Sequence, residues 1–166
     1  CRMCQVEVEK MPKLQIACNT QVTEGMVVHT KSPRAKEAQR STLEFLLINH
    51  PLDCPVCDQA GECYLQDQYM DHGLYGSKVE LEDKVHKRKV VDLGPIMLDA
   101  ERCVLCSRCI RFEREVTRTN LFEFVNRGDH TQISTFEHRP IDHQYAGNLA
   151  DVCPVGALLS HDFRFK

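Results

Sequence analysis

The residues with the clearest chemical potential in this chain are its cysteines, of which there are 10 among 166 residues. They form three sets, which are Cys1, Cys4 and Cys18; Cys54, Cys57 and Cys63; and Cys103, Cys106, Cys109 and the distant Cys153. Repeated C-x₂-C pairs place two thiolates on one short loop, where both can reach the same metal, whereas a bond between them would strain the ring. The pattern therefore predicts metal or redox chemistry rather than a disulfide framework.

The third set has the most specific spacing. C-x₂-C-x₂-C over residues 103–109 wraps the backbone around three corners of a cubane, as in bacterial [4Fe–4S] ferredoxins. In those proteins a fourth cysteine, followed by proline, serves a second cluster, and here Glu113 holds that position. Cys153, which precedes Pro154, is the expected remote fourth ligand. Structural zinc rarely uses three cysteines so closely spaced, so zinc is the minor alternative here.

The second set combines three thiols with a histidine, as His50-x₃-Cys54-x₂-Cys57-x₅-Cys63. Three thiolates are one short of the four that a cluster usually takes. Cys₃His is also a common structural zinc set, so the spacing leaves zinc open. A histidine at a helix end is as often a capping or surface group as a ligand.

The first set offers three ligands, as Cys1-x₂-Cys4-x₁₃-Cys18. Plant-type [2Fe–2S] ferredoxins combine a C-x₂-C pair, a distant final cysteine and one earlier cysteine. Because the chain starts with Cys1 rather than Met, we expect it to begin within this motif, with the fourth ligand upstream. Zinc or free thiols are the alternatives.

Short elements are expected to position these sets. Apolar alternation and turn residues predict strands near 5–9, 14–17, 26–29, 90–91 and 96–98, and a hairpin of 121–125 with 131–135. Ser32-Pro33 predicts the start of a helix that runs to Ile48, with Ala35 and Phe45 near one face. Further helices are predicted at 64–70 and 107–116, and the charged stretch 78–89 is interpreted as a solvated connector.

Composition excludes several functional classes. A net charge of −3 and a pI near 6.2 argue against a nucleic-acid or anionic-membrane surface. The apolar runs are too short for direct membrane insertion, and no signal peptide opens the chain. Hydrophobic residues at 42% and charged residues at 27% are normal for a folded globular protein.

Six stretches of the chain together resemble a known family. They are residues 1–4, 25–28, 44–57, 61–67, 103–109 and 147–158, and the run His50-Pro-Leu-Asp-Cys-Pro55 is highly specific. The sequence is similar to the large iron–sulfur (G) subunit of NADH:quinone oxidoreductase, respiratory complex I.

The resemblance implies three clusters. Cys1, Cys4 and Cys18 match ligands of a [2Fe–2S] centre; His50, Cys54, Cys57 and Cys63 match a histidine-ligated [4Fe–4S] centre; and Cys103, Cys106, Cys109 and Cys153 match a second [4Fe–4S] centre. We therefore expect an α+β chain with three parts: a truncated ferredoxin-like [2Fe–2S] domain at 1–31, a His-Cys₃ [4Fe–4S] module at 32–85 and a Cys₄ ferredoxin-like module at 86–166.

The family function implied is electron relay. Single electrons would pass from the flavin-bearing, NADH-oxidising subunit toward quinone, with other peripheral-arm subunits as partners. The expected location is peripheral, on the cytoplasmic side of the inner membrane or on the matrix side in a eukaryote. The chain carries no recognisable acid–base or nucleophilic catalyst, so it would be an enzyme subunit that performs electron transfer alone.

Three alternatives stay open from the sequence. Related iron–sulfur subunits occur in NAD-linked hydrogenases and in formate dehydrogenases. Hydrogenase versions tend to carry a further C-x₂-C-x₂-C set before the last Cys-Pro, which residues 147–152 lack. A structural zinc protein acting as an interaction module is a more remote alternative.

The arginines around the third set, Arg102, Arg108 and Arg111, are interpreted as a solvated face, with tuning of the cluster as the sharper hypothesis.

Overall fold

The computed structural model describes residues 2–72 and 79–165. The chain divides into two compact units, Cys1–Ile48 and Asn49–Lys166. Both consist of short helices and small antiparallel sheets, in agreement with the predicted α+β class. The predicted division into modules at 1–31, 32–85 and 86–166 differs from these units and stays a prediction.

The first unit is a small sheet covered by one helix. Its elements are β1 (Gln5–Val8), β2 (Gln15–Ile16), β3 (Val28–His29) and α1 (Pro33–Leu47), with a 3₁₀ turn at Ala17–Asn19. The strands are antiparallel in the order β2-β1-β3. Along β1, Val6 and Val8 point inward against α1 while their neighbours are half-buried, which is the alternation expected of a strand with one covered face.

Helix α1 begins as predicted. The Ser32 hydroxyl accepts a hydrogen bond from the Ala35 amide at 3.2 Å, and a proline occupies the first helical position. The buried face consists of Ala35, Leu43 and Leu47, which are spaced by whole helical turns. Phe45 lies outside that face and is 75% exposed, so the predicted face was wrong at this residue.

The second unit is built around one sheet and one hairpin. Its helices are α2 (Tyr64–His72), α3 (Arg108–Phe112) and α4 (Asn148–Val152), and its strands are β4 (Val91–Asp92), β5 (Ile96–Leu98), β6 (Phe122–Val125), β7 (Gln132–Thr135) and β8 (Leu158–Ser160). The sheet is antiparallel in the order β4-β5-β8, and β6 pairs with β7 as the predicted hairpin. Strand β5 is the central strand of this sheet, and its three residues are buried.

The helix predicted at 107–116 is divided in two. Helix α3 ends at Phe112 and a π-helical turn follows over Glu113–Thr117. The Glu113 side chain is fully buried, 2.8 Å from His143 Nε2, and accepts hydrogen bonds from the hydroxyls of Thr117 and Thr119. Burial of a carboxylate requires such partners, and the wider turn forms where Glu113 meets them.

The core of the second unit includes a cysteine. Cys109 on α3 is packed with Ile110, Phe122, Leu149 and Leu158, and Cys103 and Cys153 pack against the same cluster. Three of the four cysteines of the third set therefore lie in or against the hydrophobic core.

Candidate metal centres

Two members of the first set meet at the end of the sheet. Gln5 pairs with Ile16 between β1 and β2. Cys4, just before β1, and Cys18, two residues after the end of β2, therefore lie at the same end of this strand pair. The Ala17 amide donates to the Cys4 carbonyl at 3.0 Å. A hydrogen bond from the Cys18 backbone lowers the pKa of Cys4, while the Cys4 sulfur raises the pKa of Cys18. Cys4 and Cys18 therefore lie close enough for their side chains to interact. Cys1 lies outside the described residues.

The second set surrounds a tight turn. Cys54 opens a 3₁₀ turn that ends at Val56, and the Cys57 amide donates to the Cys54 carbonyl at 3.1 Å. Cys63 is buried immediately before α2. A short turn and a helix start therefore present three thiols from a span of ten residues, 54–63.

His50 has the burial and the protonation state expected of a metal ligand. Its Nδ1 atom is buried without a hydrogen-bond partner within the described part of the chain. Burial lowers the pKa of His50 to about 4, so the imidazole is neutral at neutral pH, as a metal ligand must be. The backbone around it is fixed, because Lys84 Nζ donates to the His50 carbonyl at 3.2 Å and the Val85 amide donates to Asn49 Oδ1 at 3.0 Å. Lys84 and Val85, which belong to the stretch 78–89 predicted as a connector, thus hold the backbone at His50 and the side chain of Asn49.

Gly156 makes room for the second set. A Cβ atom at this position would collide with the Cys57 sulfur and would lie 3.2 Å from Gln59 Cβ. The glycine comes from the segment that follows Cys153, so the backbone of the third set closes over a sulfur of the second. The sequence pattern did not reveal this contact, because the two residues are 99 positions apart.

The third set converges on one pocket. The four cysteines Cys103, Cys106, Cys109 and Cys153 line it together with apolar side chains, including Ile133 and Leu158. Left-handed backbone at Leu105 (φ 54°) and Ser107 (φ 63°) turns the intervening loop, and the Leu105 amide donates to the Cys103 sulfur at 3.4 Å. The donor set is four sulfurs in an apolar pocket, which fits an iron–sulfur cluster.

Burial dominates the electrostatics of these thiols. Burial, with a smaller contribution from the charges of the other cysteines, raises the pKa of Cys103 to about 11 and that of Cys109 to about 12. Burial also raises the pKa of Cys153, while backbone hydrogen bonds with Val155, Leu158 and Ala157 oppose the shift. Metal binding requires thiolates, so a bound cation would have to supply the charge compensation that water cannot.

The second and third sets adjoin each other. The Cys63 thiol donates to the carbonyl of Pro154, the residue after Cys153, at 3.8 Å. Together with the Gly156 contact, this places the 153–156 segment against sulfurs of the second set.

The arginines near the third set differ in environment. The Arg108 and Arg111 side chains are exposed, and Arg108 lies 5.8 Å from the centre of the Tyr64 ring. The Arg102 side chain is only 11% exposed and pairs with Asp53. The prediction of a solvated face therefore describes Arg108 and Arg111 but not Arg102.

Over residues 2–72 and 79–165, no group of three or more His, Cys, Asp or Glu residues meets the geometry for a single metal ion. Over the same ranges, no helix has the length and apolar character to cross a membrane.

Three protein-family models match successive parts of the chain. Residues 1–33 match a 2Fe-2S iron–sulfur cluster binding domain, and residues 39–78 match the NADH-ubiquinone oxidoreductase-G iron–sulfur binding region. Residues 94–159 match the ferredoxin-like domain of NADH-quinone oxidoreductase subunit 3. The matched parts correspond to the three cysteine sets in order.

Similar proteins carry the same family name. The chain is 46% identical, over its full length, to the NADH-quinone oxidoreductase G subunit of Streptomyces coelicolor, and 43% identical to that of Rickettsia felis. It is 46% identical to the mitochondrial NADH-ubiquinone oxidoreductase 78 kDa subunit of Candida albicans. The chain spans 20%, 25% and 23% of these relatives, respectively.

A solved structure shares the fold. A chain from the crystal structure of an NAD⁺-reducing [NiFe]-hydrogenase in the H₂-reduced state superposes with a TM-score of 0.87 at 27% identity. The superposition covers 100% of this chain and 71% of the hydrogenase chain. From these matches and the order of its three cysteine sets, this chain belongs to the family of NADH-quinone oxidoreductase G subunits and corresponds to their iron–sulfur binding region.

Proposed function

We propose that this chain holds iron–sulfur clusters and relays single electrons within a complex I-type NADH dehydrogenase. The observation that carries the proposal is the pocket lined by Cys103, Cys106, Cys109 and Cys153. These four residues would hold a [4Fe–4S] cluster. The match of residues 94–159 to a ferredoxin-like domain supports the same assignment.

A second [4Fe–4S] cluster would be held by His50, Cys54, Cys57 and Cys63. The buried, unpaired Nδ1 atom and the neutral state of the imidazole support His50 as a ligand. The space left by Gly156 beside Cys57 supports a crowded site there.

A [2Fe–2S] cluster would use the first set. The adjacent Cys4 and Cys18 and the match of residues 1–33 to a 2Fe-2S domain support this assignment. Cys1 is the third proposed ligand. The three proposed centres give the chain its proposed modular organisation at 1–31, 32–85 and 86–166.

When bound, an iron–sulfur cluster supplies a site that takes up and releases one electron without breaking bonds. This chain's residues set the conditions for that exchange. The apolar walls formed by Ile133 and Leu158 exclude water from the third set, and the Leu105 amide donates to a sulfur there. Such hydrogen bonds and the degree of burial adjust reduction potentials.

The contacts of Pro154 and Gly156 with the second set keep the two proposed [4Fe–4S] sites close. This closeness favours a relay role over two independent structural sites. The proposed electron donor is the flavin-bearing, NADH-oxidising subunit, and quinone is the final acceptor on other subunits. The proposed location is the peripheral arm, on the cytoplasmic or matrix side of the membrane.

Low-temperature EPR of the reduced protein tests the proposal. We expect distinct signals from two [4Fe–4S] centres, and a brown protein whose visible absorption bleaches on dithionite. A colourless protein that contains zinc would contradict the proposal and support a structural zinc module instead.

The variant His50→Cys tests the proposed ligand. Replacing a neutral imidazole by a thiolate adds negative charge, so we expect a lower midpoint potential for the second-set centre and no change at the third-set centre. An EPR-monitored redox titration measures both. An unchanged second-set potential would count against ligation by His50.

A second candidate function is electron relay in an NAD⁺-reducing hydrogenase, which the superposition with that enzyme favours. The two functions differ in the electron donor. Reduction of the clusters by H₂ in the assembled complex would support the hydrogenase, whereas reduction by NADH with quinone as acceptor supports the dehydrogenase.

A further inference from the structure

Arg102 belongs to one site by its backbone and to another by its side chain. It immediately precedes Cys103, the first cysteine of the third set. Its guanidinium, however, reaches the 3₁₀ turn of the second set, where Nη2 donates to Asp53 Oδ2 at 2.9 Å and to the Val56 carbonyl at 3.5 Å.

The Arg102 side chain is held in a single place. It is only 11% exposed, and its Nε atom lies 3.6 Å from Asp99 Oδ2, which is beyond hydrogen-bonding distance. That Nε atom is buried and has no hydrogen-bond partner within the described residues. A buried donor without a partner is costly, so an acceptor at this position would be favourable.

The guanidinium lies beside the second set rather than the third. Its hydrogen bonds to Asp53 and to the Val56 carbonyl place the positive charge against the 3₁₀ turn that begins at Cys54 and leads into Cys57. The Arg102 stem also lies beside Gly156, 3.7 Å from where a Cβ would be, next to the Cys57 sulfur.

We propose that Arg102 is a positioning residue that raises the reduction potential of the second-set centre by keeping a buried positive charge beside Cys57. The inference rests on the proposed function. Reduction adds one electron and therefore one negative charge to that centre, and no bond is formed or broken. A fixed, poorly solvated cation stabilises the reduced form, because little water screens it.

Asp53 and Asp99 limit this effect. Their carboxylates pair with the guanidinium and hold it in position, and their negative charges cancel part of its field. Loss of the Arg102 charge and loss of the Asp53 charge should thus move the second-set potential in opposite directions.

The experiment is an EPR-monitored redox titration of the cluster-loaded, full-length subunit and its variants. We expect Arg102→Gln to lower the midpoint potential of the second-set centre, changing its reduced-to-oxidised ratio by about tenfold, or roughly 59 mV for one electron. Asp53→Asn is expected to raise that potential, and Arg102→Lys to fall between Arg102→Gln and the parent. The third-set centre should shift less in every case.

Arg111→Gln is the matched control. It removes the same charge from an exposed side chain on α3, two positions after Cys109, and should leave both potentials unchanged because water screens it. Iron and sulfide content establish loading in each variant.

The outcomes separate the inference from the proposed function. A parent protein without cluster signals would refute the proposed function. A loaded Arg102→Gln protein with an unchanged second-set potential, or with an equal shift at both centres, would overturn the role of Arg102. If Arg102→Gln fails to load, the sign of the Asp53→Asn shift decides, and an unchanged or lowered potential overturns the proposal.

Discussion

The first and third cysteine sets present the same ligand chemistry in opposite environments. Cys18 is exposed and Cys4 half-buried at the end of a small sheet, whereas Cys109 is 7% exposed within the core of its unit. A backbone hydrogen bond lowers the pKa of Cys4, while burial raises the pKa of Cys109 to about 12. A bound cation would therefore have to offset the burial of thiolates in the third set, whereas in the first set a backbone hydrogen bond favours the ionised form of Cys4.

The largest expected effect comes from removing a ligand at each site. Cys109→Ser should abolish one [4Fe–4S] cluster, with a loss of about four iron atoms per chain, and should destabilise the second unit because it places a hydroxyl in an apolar core. Cys18→Ser should cost about two iron atoms and leave that unit's stability intact. Iron analysis and thermal unfolding measure both effects. Equal destabilisation by the two variants would contradict the difference in burial between the first and third sets.

Alkaline pH should destabilise the cluster-free protein through the third set. The folded-state pKa values of Cys103 and Cys109, about 11 and about 12, lie above the ordinary value of 9.0. Below pH 9 these thiols are protonated in both the folded and the unfolded state, so the free energy of unfolding does not depend on them. It falls as the pH rises from 9 through the folded-state pKa values, because the unfolded state then loses protons first. Denaturant unfolding at several pH values measures this loss. Cys109→Ala should reduce the slope, and a slope equal to that of the parent would contradict the role of burial.

Alkylation should separate the two sets in the cluster-free protein. At neutral pH, Cys4 and Cys18 should react with iodoacetamide at least about tenfold faster than Cys103 and Cys109, because the third-set thiols are buried and their pKa values are raised to about 11 and about 12. Mass spectrometry of quenched samples locates the label. A denatured sample, in which all cysteines should react alike, serves as the control. Equal rates in the folded protein would show that the third set opens to solvent without its cluster.

The smallest expected effect concerns the helix that supports the first set. Ser32→Ala removes the cap of α1 and should lower stability by about 1 kcal/mol without changing the [4Fe–4S] content. Ser41→Ala, inside the same helix, is the matched control and should be neutral or slightly stabilising. Thermal unfolding compares the two variants. A similar loss in both would show that the Ser32 cap contributes nothing specific.

Local signals predicted much of the fold. The Ser32-Pro33 start of α1, the β6–β7 hairpin and the helix near 64–70 depend on capping, alternation and turn residues that are close in sequence. Phe45 was wrongly placed near the same face as Ala35, because the covered face depends on where β1 packs. The π-helical turn over Glu113–Thr117 was not predicted, and the buried Glu113 that opens it contacts His143, which lies 30 residues away.

The same division holds for the candidate sites. Cysteine spacing predicted three sets, whose role as ligands stays a prediction. Cys153 lines the same pocket as the three cysteines of the 103–109 loop. The close approach of Gly156 to Cys57 and the direction of the Arg102 side chain had no sequence signal. Both depend on contacts between the second and third sets.

Because C-x₂-C spacing is a property of a few adjacent residues, the chain alone was enough to predict the ligand types, their grouping and the class of chemistry. Which sulfurs are buried, that burial keeps His50 neutral and that the Arg102 side chain reaches Asp53 follow only from the fold. Burial and charge pairing arise between segments far apart in the chain, here Asp53, Arg102 and Gly156, which only folding brings together.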